Sequence, residues 1–264
     1  MTGYKNLATL KEELDSCMLR RTLEQVRDDM PPKTITYEAV EMSDQHRRFY
    51  EAIKEGVKEE ADKVELKANN LLALTTRLRQ ATADPGILTS NPVRSTKIDR
   101  VVEIAQDLLS QGEKVVVFST FKRPAAVIAD ALSEYSPLLG TGDEPDQLVQ
   151  ERMERFQADP NAKLFVGTHS KCGTGFTLNA ASYMICVDTP YTWAAFSQST
   201  DRIWRVTNDR PAFVTVVGCQ DTIDERVAEI VETKKELGDF LVDGKEGSMS
   251  KELADELRKI ILEL

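Results

Sequence analysis

The chain has 264 residues and a formal net charge of −10 at pH 7, long enough for one large domain or two ordinary ones with ample core. That acidic balance excludes a protein that coats nucleic acid through its overall field, while leaving room for a local basic strip. Cys17, Cys172, Cys186 and Cys219 are scattered without CxxC or Cys/His spacing, so neither a zinc site nor a disulfide framework is signalled, and a reducing, cytoplasmic location is the default expectation.

In chain order, about the first ninety residues read as helical and highly charged. "MPPKTITYEAVEM" interrupts them: Pro31-Pro32 ends a helix, and Thr34 to Val40 reads as an extended linker. "SDQHRRFYEAIKEGVKEEADKV" opens as a helix capped by Ser43 or Asp44, and "NNLLALTTRLRQATADP" predicts another, closed by Pro85-Gly86. From about Ser95 helix and strand alternate: helix "KIDRVVEIAQDLLSQG", strand "KVVVF", helix "RPAAVIADALSEY", short strand "PLLG", helix "PDQLVQERMERFQAD", strand "KLFVGT". After a glycine-rich loop come strand "SYMICVD", a helix from Thr192, strand "AFVTVV" and helix "DTIDERVAEIVETKKEL". Residues 245–264 read as a last amphipathic helix. Near-continuous apolar strands alternating with amphipathic helices predict an α/β fold, a parallel sheet covered on both faces. In such sheets ligands gather at the strand carboxyl ends, which here carry Ser119-Thr120, Thr168-His169-Ser170 and Asp188. No apolar run long enough to cross a membrane is present, and no signal peptide.

"QSTDRIWRV" places Gln198, Arg202 and Arg205 at i, i+4 and i+7. On one helix these fall within a sector of roughly 60°, with Phe196, Ile203 and Trp204 on the other side and Thr192 as N-cap. The stripe then faces a cleft or partner, or is a solvated surface helped by an Asp201 to Arg205 pair. "KCGTGFTL" is glycine-rich but is not a Walker A loop, which needs GxxxxGK[ST]. His46 reads as a surface residue; His169, at a strand end, is placed to line a cleft but reads as structural or incidental. Cys186 and Cys219 read as small buried hydrophobes. Two arginines without a phosphate loop suit a chain that completes a nucleotide site built elsewhere, because an arginine finger adds a planar, always-charged donor fork to the transferring phosphoryl group.

On these motifs the chain resembles the C-terminal half of a Swi/Snf-type ATPase, the helicase-like, superfamily-two family of duplex-DNA translocases. The similarity runs over about residues 3–243 in family order. "MLRRTLEQVRDDMPPK" resembles the segment leaving the first motor lobe. "SDQHRRFYEAI" and "LTTRLRQATADPGIL" resemble the helical insertion, and "STKIDRVVEIAQDLLSQGEKVVVFSTF" the start of the second lobe, with the fourth motif at Phe118 to Phe121. "VGTHSKCGTGFTLNAASYMICVDTPYTWAAFSQSTDRIWRV" resembles motifs five and six, and "DTIDERVAEIVETKKELGDFLVDG" the brace between lobes. The resemblance implies a second RecA-like lobe at 95–220, preceded by the end of a first-lobe segment (1–33) and a linker strand with helical insertion (34–94), and followed by a brace (221–243) and a tail (244–264).

It further implies Arg205 as the finger, with Arg202 beside it and Gln198 orienting the face. Gly173, Thr174, Gly175 and Asp201 would belong to nucleotide coupling, and Ser119, Thr120, Lys122 and Thr168 to the DNA backbone. ATP and Mg²⁺ are expected mainly on a first RecA-like lobe, in the same chain or a separate subunit, with double-stranded DNA as the other partner and no membrane. Neither a Walker A nor an Asp-Glu-x-His-type motif occurs in these residues, so the chain is expected not to hydrolyse ATP alone and reads as a fragment or one subunit of a split motor. Trp204 stands where histidine is common, Thr207-Asn208 where glycine-glutamine is usual, Thr177 for asparagine and Leu23 for lysine; these departures suggest a divergent bacterial or viral branch. A non-catalytic docking module with the same fold and an RNA helicase lobe remain alternative readings.

Overall fold

The computed structural model describes residues 30–62, 68–91, 93–173, 175 and 177–240. The expected helices before residue 30 and after residue 244 lie outside these, as do Cys17, Leu23 and Thr174.

The elements are β1 (Lys33–Val40), α1 (Asp44–Asp62), α2 (Ala68–Ala83), α3 (Thr96–Ser110), β2 (Val115–Ser119), α4 (Lys122–Ala131), β3 (Leu138–Gly140), α5 (Asp146–Ala158), β4 (Leu164–Thr168), the single turn α6 (His169–Cys172), β5 (Tyr183–Cys186), α7 (Trp193–Thr200), β6 (Ala212–Cys219) and α8 (Ile223–Phe240). They build one six-stranded sheet in the order β1-β6-β5-β2-β4-β3, with every pairing parallel. The central strands β2 and β4 are buried at all five positions, the signature of strands covered on both faces.

Strand alternation divides the core into two layers. Val115, Val117, Val166 and Ile185 face α3 and α4, meeting Val101, Ala105, Leu109, Ala125 and Ile128. Val116, Phe118, Phe165, Met184 and Val214 face the opposite layer, meeting Val149, Met153 and Phe156 of α5 and Phe196 of α7. α3 begins where Ser95 Oγ accepts from Ile98 N at 3.2 Å and stops before Gly112, whose φ of 82° only glycine adopts without strain. Its buried positions Ile98, Val101, Ala105 and Leu109 follow the helical period that marked it in the sequence.

Two differences from the sequence reading matter. The stretch read as an extended linker is β1, paired in register with β6 from Lys33↔Ala212 to Val40↔Cys219. Its mixed polarity is that of an edge strand, with Thr34, Thr36 and Ala39 exposed. The helices flanking it also form a third core of their own. Tyr50 of α1, Leu74 and Leu78 of α2, and Ile223, Val227 and Val231 of α8 pack together against Met42 and Cys219. Tyr50 Oη accepts from Ile223 N at 3.0 Å, and Arg47 donates to Gln220 O at 2.7 Å. α8 therefore fastens α1 and α2 to the sheet end. Among the described residues no helix is long and apolar enough to cross a membrane.

Candidate functional site

The arginine segment does not lie on one helix. α7 starts as expected, Thr192 Oγ1 accepting from Ala195 N at 3.2 Å, but it ends at Thr200. Gln198 is exposed near its C-terminus, whereas Arg202 and Arg205 stand in the turns that follow. The apolar side does what the pattern required: Phe196, Ile203 and Trp204 are buried in the α5 layer. The helix stops because burying Ile203 and Trp204 draws the chain back onto the sheet, and contacts from outside the motif hold the turn. Leu178 N donates to Arg202 O at 2.8 Å. Trp204 Nε1 donates to Pro31 O at 2.8 Å, with Lys33 Nζ 5.0 Å over its ring. Asn208 donates to Ile203 O at 2.7 Å and accepts from Arg205 N at 3.0 Å.

Asp201 is engaged by Lys33 at 2.5 Å and by Ser197 Oγ at 3.1 Å. Arg202 is 9% exposed and donates Nε to Gln198 O at 3.0 Å. Burial first, and then the like charge of Arg205, push its pKa below the ordinary arginine value. The turn therefore sets two guanidinium groups near each other, the buried one largely out of water, with Asp201 as an opposing charge.

At the carboxyl ends of β2, β4 and β5 the small polar groups form a closed network around Asp188, which is 3% exposed. Ser119 Oγ donates to Asp188 Oδ2 at 2.8 Å, and Thr120 N to Oδ1 at 2.9 Å. Arg79, reaching from α2 and 2% exposed, stands 3.4 Å from Oδ1 and donates to Thr189 O and to Thr120 Oγ1 at 3.3 Å. Its guanidinium lies 4.2 Å from the Tyr191 ring centre. Burial alone would raise the Asp188 carboxyl, but Arg79, His169 and Lys97 outweigh it and hold it below the usual aspartate value. His169 bridges Asp188 O at 3.1 Å and Ser199 Oγ of α7 at 3.0 Å, and burial keeps its pKa low. Both of its ring nitrogens are thus engaged within the lobe.

His46, read as a surface residue, is fully buried. Nε2 meets Ala81 O at 2.8 Å and Thr96 N donates to Nδ1 at 3.3 Å, which fixes the neutral Nε2–H tautomer. No turn signal announced this, because its partners come from two other helices. Arg79 was not singled out in the sequence, and Asp188 only as a polar group at a strand end. A lone arginine four residues after Thr75 on the buried side of α2, facing an aspartate that ends an apolar strand, was the available signal. A cavity of about 340 Å³ between β1, β6 and α8 is lined by Arg79, Lys97, Asp188 and Asp224, away from the arginine turn.

Of the expected DNA-backbone residues, Ser119 and Thr168 are buried at 1% and 2% exposed, Thr120 is half-buried, and Lys122 is exposed. Gly173 caps α6, and a Cβ there would lie 2.2 Å from His169 O, so only glycine fits. Gly175 has φ 81°. Thr174 lies outside the described residues. Cys172, Cys186 and Cys219 are all buried, and burial pushes the Cys172 and Cys219 thiols up to about 12.

Comparison with known proteins gives this arrangement a family. The model of the SNF2-related domain matches residues 1–87 and that of the helicase conserved C-terminal domain residues 96–207. The DNA repair protein rad8 of Schizosaccharomyces pombe is 31% identical over 150 residues, 54% of this chain and 13% of that protein. The C-terminal part of the Fun30 ATPase domain superposes with a TM-score of 0.68 at 16% identity, covering 89% of this chain and 98% of that one. The Sulfolobus solfataricus SWI2/SNF2 ATPase core in complex with dsDNA superposes with a TM-score of 0.68 at 21% identity, covering 96% of this chain and 53% of that one. The chain thus spans a small part of the curated relative and about half of that solved core. With adjoining SNF2-related and helicase C-terminal matches on a six-stranded parallel lobe, it belongs to the Swi/Snf-type helicase-like ATPases and carries their C-terminal, RecA-like lobe.

Proposed function

We propose that this lobe supplies the arginine side of an interlobe ATP site and the backbone grip of a duplex-DNA translocase. The observation that carries the reading is the turn after α7, where Arg202 is buried beside the like charge of Arg205. Arg205, half-buried next to the exposed Val206, takes the finger role, and Arg202 completes the charge. Gln198 orients the face, and Asp201, tied to Lys33, holds the turn against β1. ATP and Mg²⁺ sit mainly on a first RecA-like lobe, in the same chain or a separate subunit. The guanidinium pair fits the phosphates, while among the described residues no group of three or more His, Cys, Asp or Glu stands ready to hold an ion.

Closing brings Arg202 and Arg205 onto the γ-phosphate, where their fixed donors stabilise charge that develops on transfer. Gly173, which lies beside Ser199 of α7, carries the nucleotide state to the strand ends together with Thr174 and Gly175. The DNA backbone meets that edge at Thr120 and Lys122, with Ser119 and Thr168 supporting it from beneath. Such contacts position a strand without reading bases. The duplex partner is supported by the likeness to a core solved with dsDNA.

The test is Arg205→Ala in the complete two-lobe enzyme. DNA-stimulated turnover should fall by about 10³-fold or more with ATP affinity nearly unchanged. Turnover near the parent's value would overturn the assignment.

A further inference from the structure

We propose that the loop between β3 and α5, together with the first turn of α5, is a carboxylate screen over the DNA-facing edge: Asp143 and Asp146 occupy Lys122 and Lys171, so that duplex binding proceeds by exchange of carboxylate for phosphate. The inference rests on the reading of this edge as a duplex-DNA contact.

Three neighbouring strands bring the parts together. β2 and β4 pair with Ser119 opposite Thr168, and each is followed at once by a lysine-bearing turn, Lys122 at the start of α4 and Lys171 in α6. β3 is the next strand outward, and its exit loop returns across the same edge. There Lys122 Nζ bonds Asp143 Oδ1 and Lys171 Nζ bonds Asp146 Oδ1.

The loop is built to hold this posture. Glu144 Oε2 accepts from Thr141 N and Thr141 Oγ1, both at 2.7 Å, and Arg152 stands 3.6 Å from its other oxygen. Burial opposes ionisation of Glu144, yet these donors and Arg152 hold its carboxyl below the usual value. Position 142 is glycine, and a Cβ there would come 3.1 Å from Lys122 Cε. The bare backbone lets the lysine lie across the loop.

The geometry also favours release. In each pair the carboxylate is the more exposed partner: 71% against 54% for Asp143 and Lys122, and 93% against 19% for Asp146 and Lys171. Exposed pairs of this kind are weak, and a freed carboxylate returns to water. Asp146 lies in the first turn of α5, where the helix N-terminus favours its charge whether or not a lysine is present. Two of the edge's cations are thus neutralised at rest, and only a ligand with several phosphates in a row repays displacing both carboxylates.

The experiment compares the 264-residue chain with its Asp143→Asn/Asp146→Asn variant for binding to a fluorescent duplex by anisotropy, across about 50 to 200 mM salt. Asp107→Asn/Glu113→Gln, which removes two carboxylates at the opposite end of β2, controls for net charge, and Lys122→Ala probes the edge itself. The screen predicts roughly three- to tenfold tighter binding for the first variant. It also predicts a salt dependence of log K steeper by up to about 0.9 per freed lysine, and loss of part of the gain when Lys122→Ala is added. If Lys122→Ala weakens binding but the double Asn variant changes neither affinity nor slope, the screen is overturned and the duplex reading stands. An equal gain in the charge control also overturns the screen. No duplex binding by any variant overturns the duplex reading for this chain, and the screen with it.

Discussion

Arg79→Ala perturbs the strand-end network at the buried cation that α2 contributes to it. The guanidinium is 2% exposed, and removing it leaves Asp188 with the neutral donors Ser119 Oγ and Thr120 N. Breaking a buried ion pair from one side costs about 3–5 kcal/mol. The long 3.4 Å contact and the two remaining donors place this case toward the low end. Loss of the hydrogen bond to Thr189 O and of the stacking on Tyr191 brings it back to about 3–4 kcal/mol. Asp188→Asn keeps the shape and removes the charge, so in its background the Arg79→Ala loss should shrink by about 1–3 kcal/mol.

Urea denaturation of the four members of that cycle, with unchanged slope as the check on compactness, measures both quantities. The acid limb supplies an independent sign. Because the folded Asp188 pKa is depressed, its stabilisation is present above the ordinary aspartate value and is lost as pH falls through the folded value. Arg79→Ala should flatten that limb. A loss under about 1 kcal/mol, or losses that simply add, would refute the reasoning.

Both histidines titrate in the same direction for the same cause. Burial lowers His46 and His169, so stability is full above about pH 6.5 and declines below it toward the folded values, by up to about 1.4 kcal/mol per pH unit for each. Denaturation midpoints at about pH 7.5 and 5.5 check this, and His46→Asn/His169→Asn should remove most of the slope; a flat parent profile contradicts it. Asn208→Ala loses the bond to Ile203 O and the acceptor for Arg205 N, costing about 1–3 kcal/mol. An unshifted thermal midpoint would show that the turn does not depend on that closure.

The layered sheet was legible because each core strand is a near-continuous apolar run and each covering helix repeats with the helical period; β2 and α3 are the plainest cases. β1 was legible as an extended linker strand and not as a member of the sheet, because an edge strand carries one solvated side and its eight residues read as mixed polarity. The arginine stripe was not legible as geometry. Period arithmetic assumes a continuing helix, whereas α7 stops at Thr200 once Ile203 and Trp204 must reach the sheet. The burial of His46 and the Arg79–Asp188 pair depend on partners more than thirty residues away, and no local pattern encodes them.

The same long-range contacts account for departures from the family pattern. Trp204, in place of histidine, gives its indole N–H to Pro31 O and its ring to Lys33, so the turn is tied to the start of β1 by packing as well as a hydrogen bond. Asn208 closes the turn on both sides of Arg205, and Thr207 Oγ1 accepts from Asn179 at 3.0 Å. Each of these three side chains makes its hydrogen bonds within the lobe. Of the network at the strand ends the same holds: Ser119 gives its proton to Asp188 and accepts from Phe121 N. A buried hydroxyl so committed shapes the loop more than it meets a phosphate. Cationic contact with a polyanion at this edge therefore falls to the surface lysines, whose charge the neighbouring carboxylates already counter, and salt and loop charge, more than strand-end hydroxyls, should set its strength.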